Sequence, residues 1–361
     1  MKISSLQFRA LSVAIFCAIA PVSPAQTTAT TDPVGFITIN IAGNGGVTPA
    51  GFTFASLGLM NPVNYQGTAD QVGTNTLSVT AGPFTANQFN ANGTNPAYFV
   101  EIVTAAGAAA QATGTGTTYD ILSNDGSTIT LMQNLGAGIL AGTQFKIRAH
   151  WTLASVFGAS NQSGLGSGSA TTADQILRWN GFGYDIFYYQ TSGIGGTGWR
   201  KAGAPTVSAS LSTLYPEDAL IIKRLQSGPI SLVLMGAVKT GQTVIPIVQG
   251  SNFIGNIYAA GMTLSSCGIF TNSPVTGLAG GGASGADQIL IWNSSLSNGA
   301  GGYDIYYYQT IGIGGTGWRK GGAPTVDASA TAIPVGQSLI VNRKATGAFN
   351  WVVPQHPANF N

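Results

Sequence analysis

Apolar and polar positions alternate along much of this chain. In residues 34–41, Ile37, Ile39 and Ile41 fall on one side of an extended backbone, and Thr38 and Asn40 fall on the other. That pattern predicts a strand with one buried face. Residues 98–103, 119–122, 128–131 and 144–147 read as further short strands, with Asn124-Asp125-Gly126 as a turn between two of them. Residues 175–179 and 184–190 flank Asn180-Gly181-Phe182-Gly183, the signature of a hairpin. A third strand at 199–201 and apolar runs at 219–224 and 230–235 follow, the last two split by Ser227-Gly228-Pro229. No run of ten residues combines helical periodicity with caps, though 151–157 leaves room for a short helical turn.

The second signal is a duplication. Residues 184–207 (YDIFYYQTSGIGGTGWRKAGAPTV) and 303–326 (YDIYYYQTIGIGGTGWRKGGAPTV) match at 21 of 24 positions, at an offset of 119. Upstream, Ala173-Asp174-Gln175-Ile176-Leu177 matches Ala286-Asp287-Gln288-Ile289-Leu290 at an offset of 113, so the second copy carries six extra residues within 294–302. Downstream, ALIIKR at 219–224 parallels SLIVNR at 338–343, and WTLASVF at 151–157 parallels MTLSSCGIF at 262–270. A period of this size marks tandem modules and not a solenoid. The expected class is all-β: an N-terminal β-barrel or sandwich domain (26–145), then two tandem β-sandwich-like modules (146–238 and 239–361).

Composition narrows the picture. Lys2 and Arg9, an apolar stretch at 10–20 and small residues at Ser23 and Ala25 read as an export signal over residues 1–25. No later stretch reaches the ~20 apolar residues of a membrane helix. Cys267 then remains without an internal partner, so core burial must hold the fold, and a buried thiol is its expected state. Charged residues are 7% of the chain while aromatics are 9%, which argues against disorder. Residues 26–145 carry five acids and no Lys or Arg, whereas 146–361 carry twelve Lys/Arg and seven Asp/Glu. The two blocks cancel, which gives no support to nucleic-acid binding, and the sign change suggests a boundary near residue 145.

Candidate chemistry is sparse. Gly193 to Gly198 and Gly312 to Gly317 satisfy G-x-G-x-x-G, but Trp199-Arg200-Lys201 and the Pro205 that follows do not open the helix a dinucleotide site requires. His150 and His356 lack metal-ligand spacing, and no cofactor is expected. Carboxylate pairs remain possible across each hairpin, Asp174 with Asp185 and Asp287 with Asp304; the favoured reading is that Asp174 and Asp287 cap turns and that Asp185 and Asp304 are edge polar groups. Alternation places Asp185, Phe187 and Tyr189 on one face of the hairpin strand, and Asp304, Tyr306 and Tyr308 on its counterpart. If that face is the outward one, Phe187, Tyr189, Trp199 and Arg200, with Tyr306, Tyr308, Trp318 and Arg319, form a ligand-binding patch in each module. The alternative is that both faces are packed.

The segment Asp32-Pro33-Val34-Gly35-Phe36 resembles the start of a paralogous family of secreted β-rich proteins of verrucomicrobial bacteria. Lys146 to Leu153 (KIRAHWTL), the A-D-Q-I-L stretches and the G-W-R-K segments extend that resemblance. It implies an exported β protein and brings no catalytic residues. The module is also similar to bacterial surface modules that combine G-x-N-x-I (Gly250 to Ile254) with P-x-G-x-S-L-I-V (Pro334 to Val341); the first copy departs with Glu217-Asp218 in place of Gly336-Gln337. The expectation is a non-catalytic structural or interaction protein of the cell surface or extracellular space. It would self-associate or, alternatively, bind surface glycan through the hairpin aromatics, with no nucleic-acid partner and no membrane span.

Overall fold

The structure is a computed structural model that describes residues 32–46, 50–107, 114–297 and 300–354. The expected export signal and His356 lie outside the described residues. The chain is nearly all β, its sheets are antiparallel, and none closes into a barrel. In chain order, β1 (Val34–Ile41) and β2 (Gly51–Ala55) come first. They are followed by β3 (Val63–Thr68), β4 (Gln71–Val72), β5 (Thr76–Ser78), β6 (Tyr98–Thr104), β7 (Thr118–Asn124), β8 (Thr128–Leu131) and β9 (Gln144–Ala149). Next are β10 (Trp151–Thr152), the one-turn helix α1 (Leu153–Phe157), β11 (Gln175–Trp179), β12 (Tyr184–Gln190), β13 (Gly198–Lys201), β14 (Thr213–Leu214), β15 (Leu220–Arg224) and β16 (Ile230–Ala237). The repeat then supplies β17 (Thr243–Ile247), β18 (Gly250–Gly255), β19 (Met262–Thr263), β20 (Gln288–Asn293), β21 (Gly302–Gln309), β22 (Gly317–Lys320), β23 (Ala332–Ile333), β24 (Ser338–Arg343) and β25 (Phe349–Val353).

Strand pairing shows how the duplication is built. The first module contains the sheet β13-β12-β11-β15-β2, and the second contains β22-β21-β20-β24-β18. The ribbon β1-β16 corresponds to β17-β25, and β10-β14 to β19-β23. Thus β1 and β2 complete the first module from the far end of the sequence. Residues 63–149 form a separate seven-stranded sheet, β3-β9-β6-β7-β8-β5-β4, that interrupts this module between β2 and β10. The division expected near residue 145 falls inside β9, so strand pairing does not part the chain there. Thr152 caps α1 reciprocally with Ser155, and Thr263 and Ser266 repeat the same exchange of hydrogen bonds in the second copy.

Each five-stranded sheet is covered on both faces. On β15, Leu220 and Ile222 enter the first module's own core, with Ile41, Phe157 and Trp199. Ile221, between them, points the other way and joins Phe54 and Ile340 in a cluster shared by the two modules. Burial on both sides explains why β15 and β24 read as continuous apolar runs and not as alternating ones. The shared seam is reciprocal. Ser56 N donates to Gly336 O at 2.9 Å, and Gly255 N donates to Glu217 O at 2.8 Å. Ala55 bridges Gln337, and Ile254 bridges Asp218. These backbone contacts recur with the modules exchanged, which is the pattern of a two-fold interface folded into one chain. Glu217-Asp218 and Gly336-Gln337 therefore occupy equivalent places despite their different chemistry.

Candidate interaction surface

The sequence-predicted ligand patch is packed. Phe187 and Trp199 belong to the first module's core, and Tyr306 and Trp318 to the second's. Arg200 and Arg319 are buried, and Tyr189 and Tyr308 are half-buried against those cores. Tyr308 lies flat on Phe270 with centroids 3.5 Å apart, and Trp199 packs on Phe157 and Tyr189. The face expected to point outward points inward. Alternation separates the two faces of a strand, but it does not say which is buried when both are.

The glycine motif is a clamped loop. Gln190 Nε2 donates to Ile194 O and Gly196 O at 2.7 and 2.9 Å, and Tyr188 Oη donates to Gln190 Oε1. Arg200 donates to Gly195 O from beneath. Gln309, Tyr307 and Arg319 repeat every one of these bonds. The clamp fixes the loop by its carbonyls. Gly195 has φ +98°, and an added Cβ would stand 2.3 Å from Pro205 O, so only glycine fits there. A strand, β13, follows the loop where a dinucleotide site needs a helix N-terminus.

The hairpin carboxylates do not form pairs. Asp174 is buried, bonded to Arg224 at 2.8 Å and to the amides of Leu225 and Gly166 at 2.7 and 2.6 Å. Asp287 makes the matching set with Arg343, Lys344 N and Ala279 N. Asp185 lies opposite Arg178, four residues along β11 from Asp174, which is roughly 13 Å of strand. It is bound by Arg178, Lys201 and Asn180. Burial alone would raise its carboxyl, but those hydrogen bonds hold it below the usual range. Among the described residues no group of three or more His, Cys, Asp or Glu is placed to hold a metal ion, and no helix is long and apolar enough to cross a membrane. Cys267 is fully buried, and burial pushes its thiol up to about 11.

Two groups of charges lie where the seven-stranded sheet meets the modules. Arg148 on β9 binds both Asp32 and Glu101, while Lys146 binds Asp32 at 2.7 Å and Lys239 binds Glu101. A cavity of about 320 Å³ opens beside them. Burial alone would raise the Glu101 carboxyl, but the Lys239 ammonium and the Arg148 guanidinium bring it down to about 2. Both acids of this network are anionic at neutral pH, so neither is a proton donor for acid catalysis. These pairs also explain the charge blocks of the sequence, since acids of the negative block neutralise cations of the positive one. The second group sets His150 Nε2 2.9 Å from Asp120, near Tyr215, Glu217 and Asp218. Desolvation pushes Asp218 up to about 7, with Arg178 opposing and Glu217 adding to the rise, and it also raises Glu217.

An open apolar face is presented by the ribbon β1-β16. Its inner side chains, Ile37, Ile39, Ile41, Leu232 and Leu234, fill the first core. Its outer face carries Val34, Phe36, Val233 and Met235 at 75, 71, 57 and 71% exposure. Phe36 sits directly opposite Met235. The sixteen residues of the two strands (VGFITINI and ISLVLMGA) contain no charge and no proline. Among the described residues no backbone hydrogen bond reaches β1 from any strand other than β16. The equivalent ribbon is guarded: Pro246 lies within β17 and removes one N–H, and Val244 N is bonded to Gly116 O at 3.0 Å. The alternation in β1 was legible in the sequence; that its outer face is left bare by β16, some 190 residues away, was not.

No family model matches this chain, and no curated protein matches it.

Proposed function

We propose that this is a structural or interaction protein, exported to the cell surface or beyond and non-catalytic, that assembles with copies of itself through the outer face of β1 and β16. The observation that carries this reading is the bare apolar face of that ribbon. Native sheets protect exposed strands with charges, prolines or bulges, and this one has none of them. At ~150–200 Å² for each side chain of this size, the four exposed groups leave on the order of 500 Å² open, at the upper end of what a monomer usually shows. Two copies mated about a two-fold axis would cover about 1,000 Å², the lower bound for a specific interface. Phe36 and Met235 form its centre, where aromatic and methionine side chains concentrate in protein contacts.

The test is light scattering of the purified protein over a concentration series. The reading expects molar mass to rise from one chain to two or more. A constant one-chain mass at the highest concentration reached would overturn it.

A further inference from the structure

The two equivalent ribbons differ at one edge. Ala237 exchanges both backbone bonds with Met60, at 2.7 and 2.9 Å, so its N–H and C=O face away from β1. Val34 lies opposite Ala237, and this pair is therefore not hydrogen-bonded within the ribbon. Bonded and non-bonded pairs alternate along an antiparallel ladder. Phe36, Thr38 and Asn40, opposite Met235, Val233 and Ser231, are thus pairs of the same kind as Val34 and Ala237. Val34, Phe36, Thr38 and Asn40 direct their N–H and C=O groups away from β16, along the outer edge of β1. All four residues are exposed, and among the described residues none of these backbone groups is hydrogen-bonded.

The second module has the same edge and closes it. Ser231 and Val233 correspond to Asn350 and Val352 at the repeat offset of 119. Their partners Asn40 and Thr38 therefore correspond to Pro246 and Val244. Val244 N donates to Gly116 O at 3.0 Å, and Gln242 Nε2 donates to Thr115 O at 2.8 Å. The loop between β6 and β7 thus covers the edge of β17. At Gly116, φ +86°, an added Cβ would stand 2.7 Å from Gln242 O, so this close approach needs glycine. Pro246 then removes the next outward N–H. Among the described residues only the seven-stranded sheet supplies such a loop, and its loop is committed to β17. The edge of β1 stays open.

We infer that the outer edge of β1 pairs antiparallel with β1 of a second copy, joining two ribbons into one sheet ordered β16-β1-β1-β16. The pairing rests on the self-assembly proposed above and specifies how two copies meet. An added strand has to bring its own unpaired row of backbone groups and no charge to bury. β1 meets both requirements: its eight residues (VGFITINI) contain no charge and no proline, and its ladder has no register shift. Other edges match it poorly. β3 shifts register between Val63 and Tyr65, and β13 and β22 end in Lys201 and Lys320. A two-fold axis makes the pairing of β1 with itself self-complementary. The register that satisfies all four outward residues sets Val34 opposite Asn40 of the second copy, and Phe36 opposite its Thr38. The outer faces of the two ribbons then become one continuous face, so edge pairing adds to packing on that face and does not replace it.

The experiment measures molar mass by light scattering at matched concentrations for the native chain, Asn40→Pro and Met235→Lys, together with deuterium exchange of residues 34–41 in the native chain. Asn40→Pro copies Pro246 of the second module and removes an N–H that no backbone bond within the chain uses, so it should fold as the native chain does. It should weaken association at least about tenfold, because each pair of copies loses two backbone bonds. The amides of Phe36, Thr38 and Asn40 should exchange more slowly at high concentration than in dilute solution. Asn40→Pro that associates like the native chain overturns the inference, as does exchange independent of concentration. If Met235→Lys alone prevents association, copies meet by their faces only: edge pairing is overturned and the proposed assembly stands. If Asn40→Pro alone prevents it, edge pairing stands without the face contact. A native chain that stays single at every concentration overturns both.

Discussion

The ring of Phe54 lies on Trp292 with centroids 4.9 Å apart and planes at 22°. One strand of the first module thereby stacks on a hairpin of the second, and Phe253 on Trp179 returns the contact. The seam is therefore part of the core and not a loose junction. Phe54→Ala should destabilise the protein by about 3 kcal/mol, near the low end for a buried phenylalanine. Phe253→Ala should cost less, because its ring is half-exposed. Urea midpoints of the two variants check the order.

Asp287 and Arg343 are both buried, 2.7 Å apart, and the carboxylate also receives the amides of Ala279, Lys344 and Ala345. Removing one partner strands the other charge. Asp287→Ala should cost roughly 3–5 kcal/mol, and Arg343→Met a similar amount. The double variant should cost clearly less than their sum. Chemical denaturation of the three proteins gives the coupling, and additivity would show that the pair is not a unit.

Glu101 governs acid stability. Its carboxyl stands near 4.5 when unpaired and at about 2 in the fold. A depressed pKa adds stability above the unfolded value and loses it as pH falls through the folded one. On the order of 3 kcal/mol should therefore disappear between about pH 4.5 and 2. Glu101→Gln should be less stable at neutral pH, because Lys239 loses its counter-charge, and should lack this acid-dependent loss. Thermal melts at half-unit steps of pH test both statements.

Asp218 acts with the opposite sign. Burial pushes its carboxyl up to about 7 from an ordinary value of 3.8. Its protonated form favours the fold, so this contribution is complete below 3.8 and is lost as pH rises through 7. Asp218→Asn keeps an acceptor for Tyr215 N, which the aspartate now accepts at 2.8 Å. It should raise the melting temperature at pH 8 and change it little at pH 4. A lower melting temperature at pH 8 would contradict the assignment.

Much of the fold was legible because alternation and turn chemistry are local. The strands at 34–41, 128–131, 175–179 and 184–190 fall where their patterns place them. What stayed hidden is long-range. Nothing in residues 34–55 indicates that β1 and β2 pair with β16 and β15, across an intervening sheet. The same limit explains the misplaced ligand patch. The strand containing Phe187 showed two different faces, but the partners that bury one of them, Ile176 and Leu220 among them, come from other strands. The cluster of Trp179 and Tyr184 is completed by Phe253 from the second module, so no single stretch of sequence contains it.

The central claim is assembly through the β1-β16 face, and one comparison addresses it directly. Molar mass would be measured by light scattering at matched high concentration for the native protein, Phe36→Lys and Ile313→Lys. Phe36 and Ile313 are 71 and 78% exposed, so neither lysine disturbs a core. The account expects the native protein and Ile313→Lys to associate alike, and Phe36→Lys to remain a single chain. Association of Phe36→Lys equal to that of the native protein would contradict it.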